Sequence, residues 1–389
     1  MFNLGLYYMN KIGFLTTTRA DFSILKPLIN IIDLDCDFEY KLIVSGTHLD
    51  SKYGHTVDEI KNNNIKVHST VPYNINTLNP QTLVDGQSSF IKGLQKVINS
   101  LNLDCVVLVG DRYEIAFSAL TFVVNSIPIV HIHGGEVTQG ANDDIFRNVV
   151  SKCSLLHFAS TENHRKRIIE MGENSDMVFN TGALGLFNIK NTDFFSKEEV
   201  FTKLKFNKSN KSLVVTFNPE TNLSSDENIT NLNYFLKALK HFDNCNIIIT
   251  SCNADLQGMY FNKIIKNWSN KFNNVVFHNS LGSKLYHSVV KYSDCVVGNS
   301  SSGIIEAPSL KTPTLNIGDR QKGRDMGSSV INVGCNTKEI IENLKIILNV
   351  KKNKINFENP YYKPNVTNQM LRLLKSTDFK KLKIYKDSI

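Results

Sequence analysis

Short runs rich in valine, isoleucine and leucine alternate along this chain with longer stretches in which apolar residues recur every three or four positions. The short runs, bounded by turn residues, read as buried strands, and the longer stretches read as amphipathic helices. Their alternation predicts parallel sheets covered on both faces by helices. In the first half the pattern predicts strands at 11–16 (KIGFLT), 40–45 (YKLIVS), 104–109 (DCVVLV), 127–132 (IPIVHI) and 155–159 (LLHFA). In the second half it predicts strands at 212–217, 245–250, 274–278, 294–297 and 313–317. Each set suffices for one doubly wound domain.

Residues 181–211 run through TGALGLFNIKNTDFF into the Lys/Asn-rich KFNKSNKS, which places the linker near 185–210. The length of 389 residues agrees with a division, because single cores stop growing near about 250–300 residues. The expected architecture is α/β, with two doubly wound Rossmann-like domains at 1–185 and 186–355 facing a cleft. Residues 356–389 carry an apolar-periodic helix, VTNQMLRLLKS, expected to pack back on the first domain. No internal repeat of 20–50 residues is present.

Composition changes this picture little. Hydrophobic residues make up 41% and charged residues 21%, the balance of an ordinary soluble globular chain. The formal charge is +8, but the cations are spread along the chain beside acids, so they read as solvated surface and not as a nucleic-acid stripe. Seven cysteines, at 36, 105, 153, 245, 252, 295 and 335, form no CxxC pair and read as buried free thiols in a reducing compartment. No apolar run approaches the roughly 20 residues needed to span a bilayer, and MFNLGLYY lacks a charged n-region. A cytoplasmic protein without a membrane partner is expected. Met9 would make a natural start for the first strand, and residues 1–8 are expected to be an ornament of an upstream start.

In open α/β sheets ligands bind beyond the carboxyl ends of the strands, so the strand exits carry the candidate chemistry. After 294–297 comes Gly298-Asn299-Ser300-Ser301-Ser302-Gly303 and a helical IIEA. Exposed amides at a helix start, with hydroxyls and small side chains, suit a diphosphate, and Glu306 one turn inside suits ribose hydroxyls. Plain helix capping is the competing reading. The next loop, 316–324 (NIGDRQKGR), gathers three cations including Arg320, and a solvated basic turn is its competing reading. The first strand ends in Thr16-Thr17-Thr18-Arg19-Ala20-Asp21-Phe22-Ser23, a second anion-friendly edge. There is no GxGxxG turn and no GxxxxGK[ST], so neither a dinucleotide cofactor nor a P-loop nucleotide is indicated. His48, in SGTHLD, reads as a local hydrogen-bonder.

The 104–109 strand delivers Gly110-Asp111-Arg112-Tyr113-Glu114, and the 127–132 strand delivers His131-Ile132-His133-Gly134-Gly135-Glu136. The following helix is entered through Asn142-Asp143-Asp144-Ile145-Phe146-Arg147. Asp111, Glu136, Asp143 and Asp144 thus crowd neighbouring exits beside two histidines and an arginine, an arrangement for proton transfer at neutral pH. A metal site is the rival explanation; no HxH or HExxH pattern is followed by a matching third ligand, and none is expected.

Taken in order, TRADFSILKPLI, SGTHLDSKYGHTVDEI, VGDRYEI, HIHGGEVTQGANDDIFRNVVSK, TGALGLF, TFNPET and GNSSSGIIEAPSLKTPTLNIGDRQKGR resemble the hydrolysing UDP-N-acetylglucosamine 2-epimerases, which open sialic- and legionaminic-acid synthesis. The resemblance covers nearly the whole chain. It implies a glycosyltransferase-B-like fold with a nucleotide-sugar in the cleft, no redox cofactor and a homodimer or homotetramer. It also implies that Arg19 and Ser23 hold the nucleotide, with Arg112 near the diphosphate. Ser300, Ser301, Ser302, Glu306 and Arg320 would grip phosphates and ribose, and Asn253 would touch nucleotide. Asp111, Glu136 and Asp143 would carry the chemistry, with Arg147 orienting them and His133 close by. The implied reaction eliminates the diphosphate to a glycal and then hydrates it to the free 2-epimer.

Two positions depart from the family pattern. Asn218 in TFNPET and Asn148 in FRNVVSK stand where the family usually has histidine; asparagine keeps the hydrogen bonds and loses the proton switch. The same blocks fit a sister enzyme acting on a UDP- or GDP-linked 2,4-diacetamido-2,4,6-trideoxy sugar. They also fit a nucleotide-sugar-binding protein without catalysis, and, with less support, a glycosyltransferase.

Overall fold

In this computed structural model, residues 9–51, 54–73, 80–139, 143–252, 258–380 and 383 are described. They fall into two compact units. Unit 1 holds the described residues up to Glu136, those from Asp143 to Phe187 and those from Lys363 onward; unit 2 holds Val137–Gln139 and those from Asn188 to Tyr362.

Unit 1 is built on seven parallel strands: β1 (Asn10–Thr16), β2 (Phe38–Ser45), β3 (Ser69–Val71), β4 (Cys105–Val109), β5 (Ile129–Ile132), β6 (Leu156–Ala159) and β7 (Val178–Asn180). The order β3-β2-β1-β4-β5-β6-β7 puts the topological switch point between β1 and β4. Helices α1 (Arg19–Asp33), α2 (Val57–Asn62), α3 (Pro80–Leu101), α4 (Tyr113–Val124), α5 (Asp143–Cys153) and α6 (Glu162–Glu170) connect them, and α7 (Gly185–Lys190) follows the last strand.

The pleat sorts side chains to the two faces. On β4, Cys105, Val107 and Val109 join the core beneath α1, while Val106 and Leu108 join a second core with Phe90 of α3 and Phe122 of α4. Burial on both faces is why that strand reads as an unbroken apolar run.

Unit 2 repeats the plan with six parallel strands: β8 (Ser212–Thr216), β9 (Asn246–Thr250), β10 (Val275–His278), β11 (Cys295–Gly298), β12 (Thr314–Ile317) and β13 (Val330–Val333). Its order is β10-β9-β8-β11-β12-β13, with the switch point between β8 and β11. The helices are α8 (Lys197–Leu204), α9 (Ser225–Leu239), α10 (Gly258–Ser269), α11 (Gly282–Tyr292), α12 (Ser302–Ile305) and α13 (Thr337–Asn349). The last helix, α14 (Val366–Ser376), belongs to unit 1, where Val366, Met370 and Leu374 are buried in the core that includes Leu25, Leu28 and Ile32 of α1.

The ten expected strands are present. Three further strands, β3, β7 and β13, escape the sequence reading because each is only three or four residues long with a single buried residue. Cysteine burial is also less uniform than expected: Cys36 is exposed, and Cys153 and Cys335 are half-buried, whereas Cys105, Cys245, Cys252 and Cys295 are buried. Cys36 lies between α1 and β2, outside the sheet's cover.

Candidate functional site

The exits of β4, β5 and β6 lie side by side, and unit 1 assembles its charged residues there. Arg147 projects from α5 and is fully buried. Its guanidinium donates to the carboxylates of Asp111 and Asp144 and to the main-chain carbonyl of Glu136 at 2.7 Å. The carboxylates therefore do not face one another bare, because a planar fork of donors joins two of them. Asp144, one turn before Arg147, is the acid that reaches it; Asp143 opens the same helix half-buried.

The turn after β5 places a second pair. His133 takes a left-handed φ of +69°, and Gly135 takes +74°. A Cβ on Gly135 would lie 2.3 Å from the His164 carbonyl oxygen, so only glycine fits there. This tight turn brings the His133 Nδ1 within 2.7 Å of the Glu136 carboxylate, with the Ser160 hydroxyl 2.8 Å from the same nitrogen. His131 is different in kind. Its ring is bonded to Ser151 and to the Gly110 carbonyl, and burial pushes it down to about 3, so it stays neutral. Burial likewise pushes His48 down to about 4, where it bonds Thr16 and Thr56 as the local hydrogen-bonder expected.

The anion-friendly edge expected after β1 is already filled. Asp21 accepts from the amides of Thr17 and Thr18 at 3.2 and 3.0 Å and from the Thr17 hydroxyl at 2.8 Å. Burial raises its carboxyl while Arg112 and the threonines pull it down. The Thr-rich turn is thus a capping box that satisfies itself. Arg19 pairs with Glu59 at 3.0 Å, and Ser23 donates to the Ala20 carbonyl, both at the surface. Arg112 pairs with the fully buried Glu114 at 2.6 Å.

In unit 2 the switch point is organised by Asn299, which sequence reasoning passed over. It is fully buried, accepts from the Asn218 amide at 2.7 Å and donates to the Asn218 carbonyl at 2.8 Å. Its own carbonyl accepts from Arg320 at 3.2 Å and from Gln321 at 2.9 Å. One residue thereby joins the exits of β8, β11 and β12. The signal available in the sequence was Gly298 beside it, whose φ of +131° and 2.0 Å approach to the Thr216 carbonyl oxygen permit no side chain.

The serine run does not start a long helix. α12 is a single turn, Ser301 is its N-cap, and Glu306 is its C-cap residue, not a residue inside it. The Ser302 hydroxyl donates to Glu306 at 2.5 Å and meets the Tyr286 hydroxyl at 2.8 Å, while His287 stands 3.5 Å from the other Glu306 oxygen. Tyr286 and His287 of α11 are therefore part of this edge. Ser300 accepts from the Ser302 amide at 3.4 Å. Asn253 lies outside the described residues. Asn218 is buried and Asn148 is exposed. Among the described residues Asp35, Cys36 and Asp37 have metal-ligand spacing, but the Lys375 ammonium stands 2.7 Å from both carboxylates.

Comparison with known proteins agrees with this architecture. A family model described as UDP-N-acetylglucosamine 2-epimerase matches residues 31–375. The chain is 35% identical over 385 residues to "Polysialic acid biosynthesis protein P7" of Escherichia coli, covering 97% of each. It is also 35% identical over 327 residues to the "GDP/UDP-N,N'-diacetylbacillosamine 2-epimerase (hydrolyzing)" of Campylobacter jejuni, covering 84% of this chain and 85% of that one. Among solved structures, UDP-GlcNAc 2-epimerase from Neisseria meningitidis bound to UDP-GlcNAc aligns with a TM-score of 0.77 at 20% identity, covering 94% of this chain and 100% of that one. Identity that low speaks for the fold alone.

Proposed function

Because the chain belongs to the UDP-N-acetylglucosamine 2-epimerase family, we propose that it is a hydrolysing 2-epimerase, converting UDP-N-acetylglucosamine into N-acetylmannosamine and UDP for sialic-acid-type synthesis. The observation that carries this reading is the buried Arg147 fork with Asp111 and Asp144, next to the His133–Glu136 pair at adjoining strand exits. In the proposed reaction a base takes the C2 proton, and its electron pair forms a C1=C2 double bond. The C1–O bond breaks, and UDP leaves. Water then delivers hydroxyl to C1 and a proton to the opposite face of C2. Asp111, Glu136, Asp143 and His133 supply acid–base groups and Arg147 orients them.

The C2 proton is weakly acidic, so stabilising the departing diphosphate must lower much of the barrier. We assign that role to Asn218, Ser300, Ser301, Ser302 and Arg320, with Glu306 at the ribose. Arg19, Ser23, Arg112 and Asn253 remain assigned to nucleotide on the family resemblance. A second reading, a UDP- or GDP-linked 2,4-diacetamido-2,4,6-trideoxy sugar as substrate, is supported by the Campylobacter relative's name. Seven cysteines without a disulfide support a cytoplasmic setting.

We also infer a homo-oligomer, dimer or tetramer. Its support is α4, which buries Ile115, Ala119 and Phe122 yet leaves Phe117, Leu120, Val123 and Val124 exposed, with no charged residue after Glu114. A helix apolar on all sides is normally covered.

Incubating the protein with UDP-N-acetylglucosamine and with the diacetamido analogue in deuterated water tests the reading. Release of UDP and N-acetylmannosamine bearing deuterium at C2 is expected. Release from the analogue alone moves the assignment to the second reading. Tight UDP binding with no free sugar from either defeats the enzymatic assignment and leaves a binding protein.

A further inference from the structure

The His133 pair carries more detail than the acid–base reading uses. Glu136 is buried, and its Oε1 is 2.7 Å from His133 Nδ1 and 3.2 Å from the Ser160 hydroxyl, which also lies 2.8 Å from Nδ1. Ser160 is the first residue beyond β6 and His133 the first beyond β5, and the two neighbouring strands fix their separation. An ionised carboxylate only accepts, so the ring proton resides on Nδ1 and the serine proton is directed to Oε1. That leaves Nε2 with a bare lone pair, buried and without a hydrogen-bond partner. An unsatisfied buried acceptor is destabilising, and a histidine at a left-handed φ adds backbone strain. Two such costs at one residue mark a group kept for its chemistry.

We propose that His133 Nε2 is the atom that removes the C2 proton, and that Glu136 and Ser160 are positioning residues that fix its tautomer and steady the imidazolium formed. This rests on the epimerase reading above and refines it. The C2–H bond breaks toward Nε2, the pair closes the C1=C2 double bond, and the electrons of the C1–O bond leave on the diphosphate oxygen. Glu136 then acts through the histidine, and Ser160, absent from the sequence-derived candidates, belongs to the site. The arrangement is that of a base held by a carboxylate, as in hydrolytic triads.

The experiment uses the full chain with its nucleotide-sugar. Glycine suits the +69° backbone at position 133, so H133G is expected to fold normally and bind UDP with unchanged Kd. Its kcat should fall by about 10²–10⁴-fold, and added imidazole should restore part of it. E136Q keeps a carbonyl acceptor for Nδ1–H and should lose only about tenfold in kcat; S160A should lose less, with S160T recovering. Unimpaired turnover in H133G overturns the proposal. So does an E136A variant rescued by formate alongside an H133G variant deaf to imidazole, which would hand the proton to Glu136. A wild-type protein that releases no sugar from any nucleotide-sugar removes the epimerase reading itself, a result separate from either variant outcome.

Discussion

Replacing Arg147 by methionine asks whether charge holds the strand exits of unit 1 together. Methionine keeps an unbranched apolar stem and removes the cation. The Asp111 and Asp144 carboxylates, 24% and 30% exposed at their side chains, then lose their shared counter-charge, and the Glu136 carbonyl loses its donor. Removing one member of a buried pair costs about 3–5 kcal/mol. The partial exposure of both carboxylates lets water take over some of the lost interaction, so the ionic share lies at the lower end. Losing the charge-assisted bond to that carbonyl adds about 1.5–3 kcal/mol, giving an expected total of about 3–5 kcal/mol because the losses share one residue and do not add fully. For a domain of about 150–250 residues that is a fall of about 6–20 °C in Tm.

Urea denaturation followed by circular dichroism measures it. R147K, which keeps the charge and loses the fork, should fall between wild type and R147M. The decisive control is R147M with D111N and D144N, which removes the stranded charges and should regain at least half of the loss. An R147M protein within about 0.5 kcal/mol of wild type, or a triple variant no better than R147M, would refute the reasoning.

Three further outcomes are expected. Burial holds His131 near 3 and His48 near 4, against 6.5 for the free side chain. The unfolded chain therefore gains protons below pH 6.5 that the native state refuses, and stability declines by up to about 1.4 kcal/mol per pH unit for each histidine, levelling only toward pH 4 and 3. H131N should remove one histidine's share of that slope in urea denaturation between pH 5 and 6.5, and an unchanged slope contradicts the burial account. Asn299→Ala leaves the Asn218 amide and carbonyl without their partner, so UDP affinity measured by calorimetry should weaken by about tenfold or more; an unaltered Kd would show that the β8–β11 link does not serve the nucleotide. Leu120→Asp places a charge on the exposed apolar side of α4, and light scattering should report dissociation to monomers, whereas an unchanged oligomer, or a wild type already monomeric, rejects α4 as the contact.

What the sequence determined by itself was the layered plan. Strands such as Cys105–Val109 announce themselves because burial on both faces demands an apolar side chain at every position, and residues at their exits are positioned by the chain's own order. Asp111, His133, Glu136 and Arg147 could be nominated that way. Tertiary structure alone decided which groups meet. A hydrogen bond depends on ångström-scale geometry, so nothing in the letters says that Arg147 takes both Asp111 and Asp144, that Asp21 fills the turn after β1, or that Ser160 joins His133 across two strands. Asn299 was invisible for the same reason: its partners lie 81 and 22 residues away in the chain, and only the folding of one parallel sheet brings three strand exits within reach of a single amide.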